Sequence, residues 1–294
     1  MMKTPECIWE AGAALGEGPL WSVREQALYW VDILNHRLHR HASGDERRSW
    51  QIGHGVSALA ERTSGDGLVI TQRHGFAGFD PASGEVRPLL AVEDDMPANR
   101  FNDGKCDARG RFWAGTMDFA CKAPTGSLYR LEPSGAQPSC SRMDSGYAVT
   151  NGPAWSADYR TMYHNDSVNG RVYAFDYDLE RGELANKRLF LQFGPGDGSP
   201  DGMTTDAEGG LWIAHWGAGK LTRRDAAGRV MMTVALPCTQ VTCCAFGGPA
   251  LRTLFITTAA DGLSPQQRER EPLAGGLFAL ELDIAGMPAQ TYGG

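Results

Sequence analysis

Apolar residues along this chain gather in short runs broken by glycine-containing turns roughly every eight to twelve residues, the pattern of an all-β protein. No long stretch repeats its apolar residues at helical spacing. The runs come in pairs. Ala27–Asp32 precedes Arg37–His41, Gly67–Thr71 precedes Gly75–Asp80, and Arg111–Thr116 precedes Gly126–Leu131. Further along, Thr161–Asn165 precedes Arg171–Asp176, Gly210–His215 precedes Lys220–Arg224, and Thr253–Thr257 precedes Gly276–Glu281. The turns Asp80–Gly84, Glu132–Gly135, Asp178–Gly182 and Asp225–Gly228 each end on a glycine where positive φ is wanted.

Ahead of four of these pairs stands the same feature, a side chain bearing an oxygen followed closely by glycine. The segments are Glu17-Gly-Pro-Leu-Trp-Ser, Asn102-Asp-Gly-Lys-Cys-Asp, Asn151-Gly-Pro-Ala-Trp-Ser and Asp201-Gly-Met-Thr-Thr-Asp. The same offset applied to the other two pairs lands on Ala58 and Cys244, which completes a series with spacings of 41 to 50 residues. That period, with several strands in each unit, predicts a six-bladed β-propeller, whose blades can bury their faces only against one another. No composition shift or charge run divides the chain, so residues 1–294 are read as a single propeller domain. The apolar segment Cys7-Ile-Trp-Glu fits the outer strand of the last blade, with a free N-terminal tail as the alternative. The longest stretches poor in structure are Phe193–Pro200 and Leu263–Gly275, both at positions expected of loops.

Circular repetition brings equivalent positions to one end of a shared axis. Two carboxylates and two amides would meet there, and the carboxylates would repel one another unless a cation lay between them. Taken singly, Asn and Asp ahead of glycine are ordinary turn residues, and Glu17 between two glycines could be a loop residue with nothing to bind. Their recurrence at one offset favours a site for one hard divalent ion, Ca, Mg or Mn, with Zn possible. A competing motif overlaps the fourth member: Asp197, Ser199, Asp201 and Glu208 match ligand positions of an EF-hand loop, and Gly202 matches its turn glycine. That motif needs flanking helices, and Gly209–His215 reads instead as a strand.

The remaining chemistry narrows the choice. A formal charge of −7 over 294 residues has the wrong sign for tracking a nucleic-acid backbone. The N-terminus interrupts any apolar signal core with Pro5, Glu6 and Glu10, and no apolar run is long enough to cross a membrane, so the chain is read as cytoplasmic. Seven cysteines without a Cys-x-x-Cys pair point to reduced thiols. His36, His39 and His41 fit a solvated strand face away from the axis, and His215 fits a packed core histidine, with a pocket wall as the alternative. Neither a Gly-x-Ser-x-Gly elbow nor a phosphate-binding loop is present.

The stretch from Arg100 to Met117 resembles the gluconolactonase, regucalcin and senescence-marker-protein family. So do Gly16–Trp21, Asn151–Ser156, Ser199–Trp212 and Cys243–Gly248, in the same order and at similar spacing. The resemblance runs from about residue 8 to residue 285. It implies a six-bladed propeller with one divalent ion at the axis, held by Glu17, Asn151 and Asp201, and contacts to substrate from Arg100 and Asn102. It also implies hydrolysis of a sugar aldonolactone to the open sugar acid. One departure concerns a glutamate that touches substrate in animal members. Its place is taken here by Ala120, and Asp118 is the nearest carboxylate.

Such an ion would polarise the lactone carbonyl while Arg100 and Asn102 orient hydroxyl groups. The resemblance assigns the base to Asp201, with Asp103 and a water activated by the ion as alternatives, since binding to a dication lowers a carboxylate's basicity. The expected partner is a small sugar lactone, with neither nucleic acid nor membrane, and the chain is expected to be a monomer or weak homo-oligomer. The same site could serve a metal-dependent phosphotriesterase or aryl-esterase, or a propeller that binds calcium without catalysis.

Overall fold

The computed structural model describes residues 4–133 and 138–294, so the expected turn at Gly135 lies outside the described residues. The chain forms a six-bladed β-propeller of four-stranded antiparallel sheets. Blade one comprises Gly16–Ser22, Ala27–Asp32, Arg37–Ala42 and Glu46–Gln51, from the axis outwards. Blade two begins at Leu59–Glu61, blade three at Asn99–Cys106, blade four at Thr150–Trp155, blade five at Ser199–Thr205 and blade six at Val241–Gly247. These first strands pack against one another around the axis.

Blade six takes its outer strand from the other end of the chain. Glu6–Trp9 pairs antiparallel with Leu277–Glu281, so the N-terminal segment closes the ring. The loop over residues 263–275 carries a short helix, Pro265–Arg270, whose Ser264 caps it by accepting from the Gln267 amide.

Each blade is buried on both faces, which explains why its second strand is apolar at successive positions. Side chains alternate across a strand, so neighbours in sequence belong to different interfaces. In blade one, Tyr29 and Val31 pack towards Leu68, Ile70 and Phe79 of blade two. Leu28 and Trp30, between them in sequence, pack towards Phe255 and Leu277 of blade six. Blade three repeats the arrangement: Phe112 and Ala114 join Val69 and Phe76, whereas Trp113 joins Trp155 and Phe175 of blade four.

Two buried carboxylates brace the hairpins between first and second strands. Asp107 Oδ2 accepts from Arg111 Nε at 2.6 Å, from Trp113 Nε1 at 2.8 Å and from the Tyr177 hydroxyl of blade four at 2.6 Å. Asp206 does the same work in blade five, accepting from Trp212 Nε1 at 2.8 Å and Arg223 Nε at 2.6 Å.

The expectations for histidine divide. His39 lies away from the axis but not in water: it stacks on Trp30 at 4.3 Å between centroids and meets Trp9 edge-on. The solvated-face reading is therefore corrected for His39, because Trp9 arrives from the closing strand to cover that part of blade one. Burial pushes its pKa down to about 4. His215 is a packed core histidine, bonded to the Asp197 carbonyl and the Thr222 hydroxyl and stacked on Phe193. No EF-hand exists here, since Asp201 and Gly202 lie within a strand. All seven cysteines are free thiols.

Candidate functional site

The four polar segments are the innermost strands themselves rather than turns. Each carries an irregularity: pairing slips between Glu17 and Leu20, Phe101 and Gly104, Asn151 and Ala154, and Pro200 and Met203. Such bulges re-aim side chains, and here they occur at or beside the four oxygen-bearing residues. The glycines that follow have a packing reason. A Cβ on Gly202 would come within 2.2 Å of the Cys243 sulfur on the next inner strand. Gly152 has φ of +77°, and a Cβ there would strike the Met203 methyl at 2.7 Å.

One cleft of about 470 Å³ at the mouth of the axis is lined by Glu17, Asn102, Asn151 and Asp201, together with Arg100. Phe119, Cys121, Val168 and Trp216 form part of its wall. A second cavity of about 520 Å³ lies to one side and contains none of the axial carboxylates. The axial cleft is the one with the chemistry.

Hydrogen bonds fix its polar groups in a chain. Arg100 Nη1 donates to Asn102 Oδ1 at 2.7 Å. Asn102 Nδ2 donates to the Thr150 carbonyl at 2.8 Å and to Asn151 Oδ1 at 2.9 Å. Asn151 Nδ2 in turn donates to the Ser167 hydroxyl at 2.9 Å, and Ser167 donates to the Pro200 carbonyl at 2.6 Å. The amide orientations follow from these partners, and Asn151 keeps an oxygen lone pair free. Both Asn102 protons are committed, which makes Asn102 a bracket between Arg100 and Asn151.

The carboxylates are under electrostatic stress. Burial, then repulsion from Asp103, raises Glu17 to about 8. Burial, then Glu17 and Asp103, holds Asp201 well above the usual carboxylate range. Asp103 is raised by burial too, although Lys105 and the Gly104 and Gly152 amides oppose this. Its two oxygens accept from those amides at 2.7 and 3.0 Å. Burial lowers the Arg100 guanidinium to about 10, against the pull of Cys121, Glu17 and Asp201. Burial also works against the Lys105 ammonium, but Cys243, Asp103, Cys244 and Glu17 outweigh it and its pKa rises.

A hard dication fits this set. Glu17 and Asp201 supply stressed carboxylates and Asn151 an oriented amide oxygen, all facing one cleft. Among the described residues there is no group of three or more His, Cys, Asp or Glu able to hold a metal, so a site here depends on the asparagine.

Asp118 is not brought to this cleft. It ends the strand Phe112–Asp118 between two residues, Met117 and Phe119, that do line it. Its oxygens accept instead from the Lys122 and Ala123 amides at 2.9 Å and from Ala120 at 3.3 Å. These bonds keep its pKa low and brace the loop that carries Phe119 and Cys121. Two participants had gone unnoticed. Lys105 stands three residues after Asn102, where the other segments have Leu20, Ala154 and Thr204, and that contrast could have revealed it. Ser167 has no comparable signal, because its role arises from pairing between blades four and five.

Comparison with known proteins agrees with the propeller and extends over the chain. The Bacillus subtilis YvrE protein, which carries the provisional name sugar lactone lactonase, is 35% identical over 284 residues, covering 96% of each chain. Regucalcin of Xenopus laevis is 34% identical over 297 residues, covering 98% of each. Among solved structures, a calcium-binding protein, regucalcin, from Agrobacterium tumefaciens superposes with a TM-score of 0.93 at 27% identity, covering 99% of this chain and 97% of the other. The family model for the SMP-30/Gluconolactonase/LRE-like region matches residues 15–260, and the chain belongs to that family.

Proposed function

We propose that this chain hydrolyses a sugar aldonolactone, a cyclic ester, to the open sugar acid, with one divalent ion held by Glu17, Asn151 and Asp201. The observation that carries the reading is the convergence of these three residues, with Arg100 and Asn102, on a single axial cleft. The name of the Bacillus relative and the description of the matched family support the choice of a lactone over other esters.

When bound, the ion would act as a Lewis acid on the lactone carbonyl and stabilise the negative charge that develops there. Arg100 spends Nη1 on Asn102 and on the Phe101 carbonyl, leaving its other N–H groups to hold ring or hydroxyl oxygens. Asn102 keeps Arg100 and Asn151 in register. Asp201 is the better candidate for taking the proton of the attacking water, because Asp103 has both oxygens committed to backbone amides and does not line the cleft. Asp118 contributes through the loop it braces and not by touching substrate.

A pH-indicator assay against a panel of aldonolactones, repeated with Ca, Mg, Mn and Zn, tests the reading. Proton release well above the spontaneous rate, abolished by exhaustive chelation, is the expected result. Turnover that survives chelation with no metal remaining would sink the metal-dependent mechanism. Calcium binding without turnover is the second reading, favoured by the name of the Agrobacterium relative, and a silent panel together with tight calcium binding would establish it.

A further inference from the structure

Beside the axial cleft, the lateral cavity of about 520 Å³ opens over blade two. The two cavities share Leu34, Arg100 and Phe119 in their linings, so they adjoin, and a ligand seated at the axis has the second cavity as its neighbour. Arg100 therefore serves both. The other guanidinium of the lateral cavity belongs to Arg73, whose Nη2 donates to the Pro97 carbonyl at 2.7 Å. Both arginines approach the ring of Phe119, which is 54% exposed, each with its guanidinium carbon 5.8 Å from the ring centroid.

Charge is the informative feature. No Asp or Glu lines this cavity, and His54 and Gln72 add further polar groups to the arginines. Among the described residues, neither Arg73 nor Arg100 has a carboxylate within ion-pair distance. A chain with a net charge of −7 thus keeps two unpaired guanidinium groups in one concave surface. A forked guanidinium matches carboxylate or phosphate oxygens, and the anchoring of Arg73 on Pro97 reduces the freedom lost when it binds them.

We propose that the lateral cavity is a second substrate subsite, which takes an anionic group, carboxylate or phosphate, on the end of the sugar remote from the lactone carbonyl. This rests on the lactonase reading of the axial cleft. The preferred substrate is then an aldonolactone with a charged terminus, and Arg73 is a specificity-determining residue.

The test compares kcat/KM for three hexonolactones that differ at C6: a neutral hydroxymethyl group, a carboxylate and a phosphate ester. In the wild-type protein loaded with its divalent ion, at least one charged substrate is expected to exceed the neutral one by about tenfold or more, equivalent to about 1.4 kcal/mol. That ratio should fall towards one in Arg73→Met and recover in part in Arg73→Lys. The better of the two charged substrates identifies the anion. Equal values for all three lactones, or a ratio unchanged by Arg73→Met, overturns the proposal. If no lactone is opened, the reading of the axial cleft fails, and calorimetry then judges the subsite separately with gluconate, its 6-phosphate and glucarate. A tenfold tighter Kd for either acid with a second anionic group, lost in Arg73→Met, supports the subsite; equal affinities reject it.

Discussion

Replacing Glu17 by Gln should make the metal-free protein more stable and the enzyme worse. In the metal-free folded state, burial and then the repulsion of Asp103 raise the Glu17 pKa from 4.5 to about 8. Below pH 4.5 the side chain is protonated whether the chain is folded or not, and it has no effect on stability. Between 4.5 and about 8 the unfolded chain releases the proton more readily, so stability falls by about 1.4 kcal/mol for each pH unit. At pH 7 the loss is on the order of 3 kcal/mol. Glutamine avoids this and can still accept from the Gly18 amide, the bond Glu17 makes at 2.8 Å. In chelator at pH 7, Glu17→Gln should therefore melt roughly 4 to 6 °C above the wild type, with the gain vanishing near pH 4.5. Lactonase activity should fall, because one charged ligand is lost. Calorimetric melting curves of both proteins at pH 4.5, 6 and 7.5, with chelator and with saturating divalent ion, supply the comparison. A Glu17→Gln variant less stable than the wild type in chelator at pH 7 would refute the claim that the axial carboxylates are strained without a cation.

Asp201→Asn should lower kcat by a factor of roughly 10² to 10⁴, as loss of a positioned base would, while Asp103→Asn gives a smaller loss; steady-state kinetics with saturating metal would show the ranking, and full activity in the first variant removes Asp201 from both its roles. Asp107→Asn should destabilise the fold by about 3 to 5 kcal/mol in urea unfolding, because it strips buried Arg111 of the one carboxylate it pairs with among the described residues. The equivalent change at Asp206 should cost less, since Arg223 also reaches Glu208 at 2.8 Å. Burial lowers His39, His164 and His215 to about 4 each, so the stability that depends on their neutral form is complete above about pH 6.5 and drains away as pH falls towards 4. Replacing His164 by Phe should flatten part of that decline in a pH series of urea midpoints.

The architecture was readable in the sequence because it is periodic. A Gly-flanked oxygen side chain recurring ahead of paired strands marks the inner strand of four blades, and the glycines are required by inner strands that nearly touch. The axial oxygens follow from that repetition alone. What escaped the sequence depends on contacts without a period. Asp118 differs from its cleft-lining neighbours Met117 and Phe119 by a single step along a strand, which is enough to turn it away. His39 is covered by Trp9, thirty residues earlier and on another blade. The lateral cavity is lined by residues from several separate segments, and the approach of Arg73 and Arg100 to the same Phe119 ring has no signature in either segment.

Because the last sheet borrows its outermost strand from Glu6–Trp9, that segment leaves the ribosome about 270 residues ahead of Leu277–Glu281 and has to wait for it before it finds its partner. Until Leu277–Glu281 has emerged, the growing propeller is an open arc with bare edges at both ends, ready to pair with another chain. Closure of the ring is therefore one late event, the pairing of Glu6–Trp9 with Leu277–Glu281.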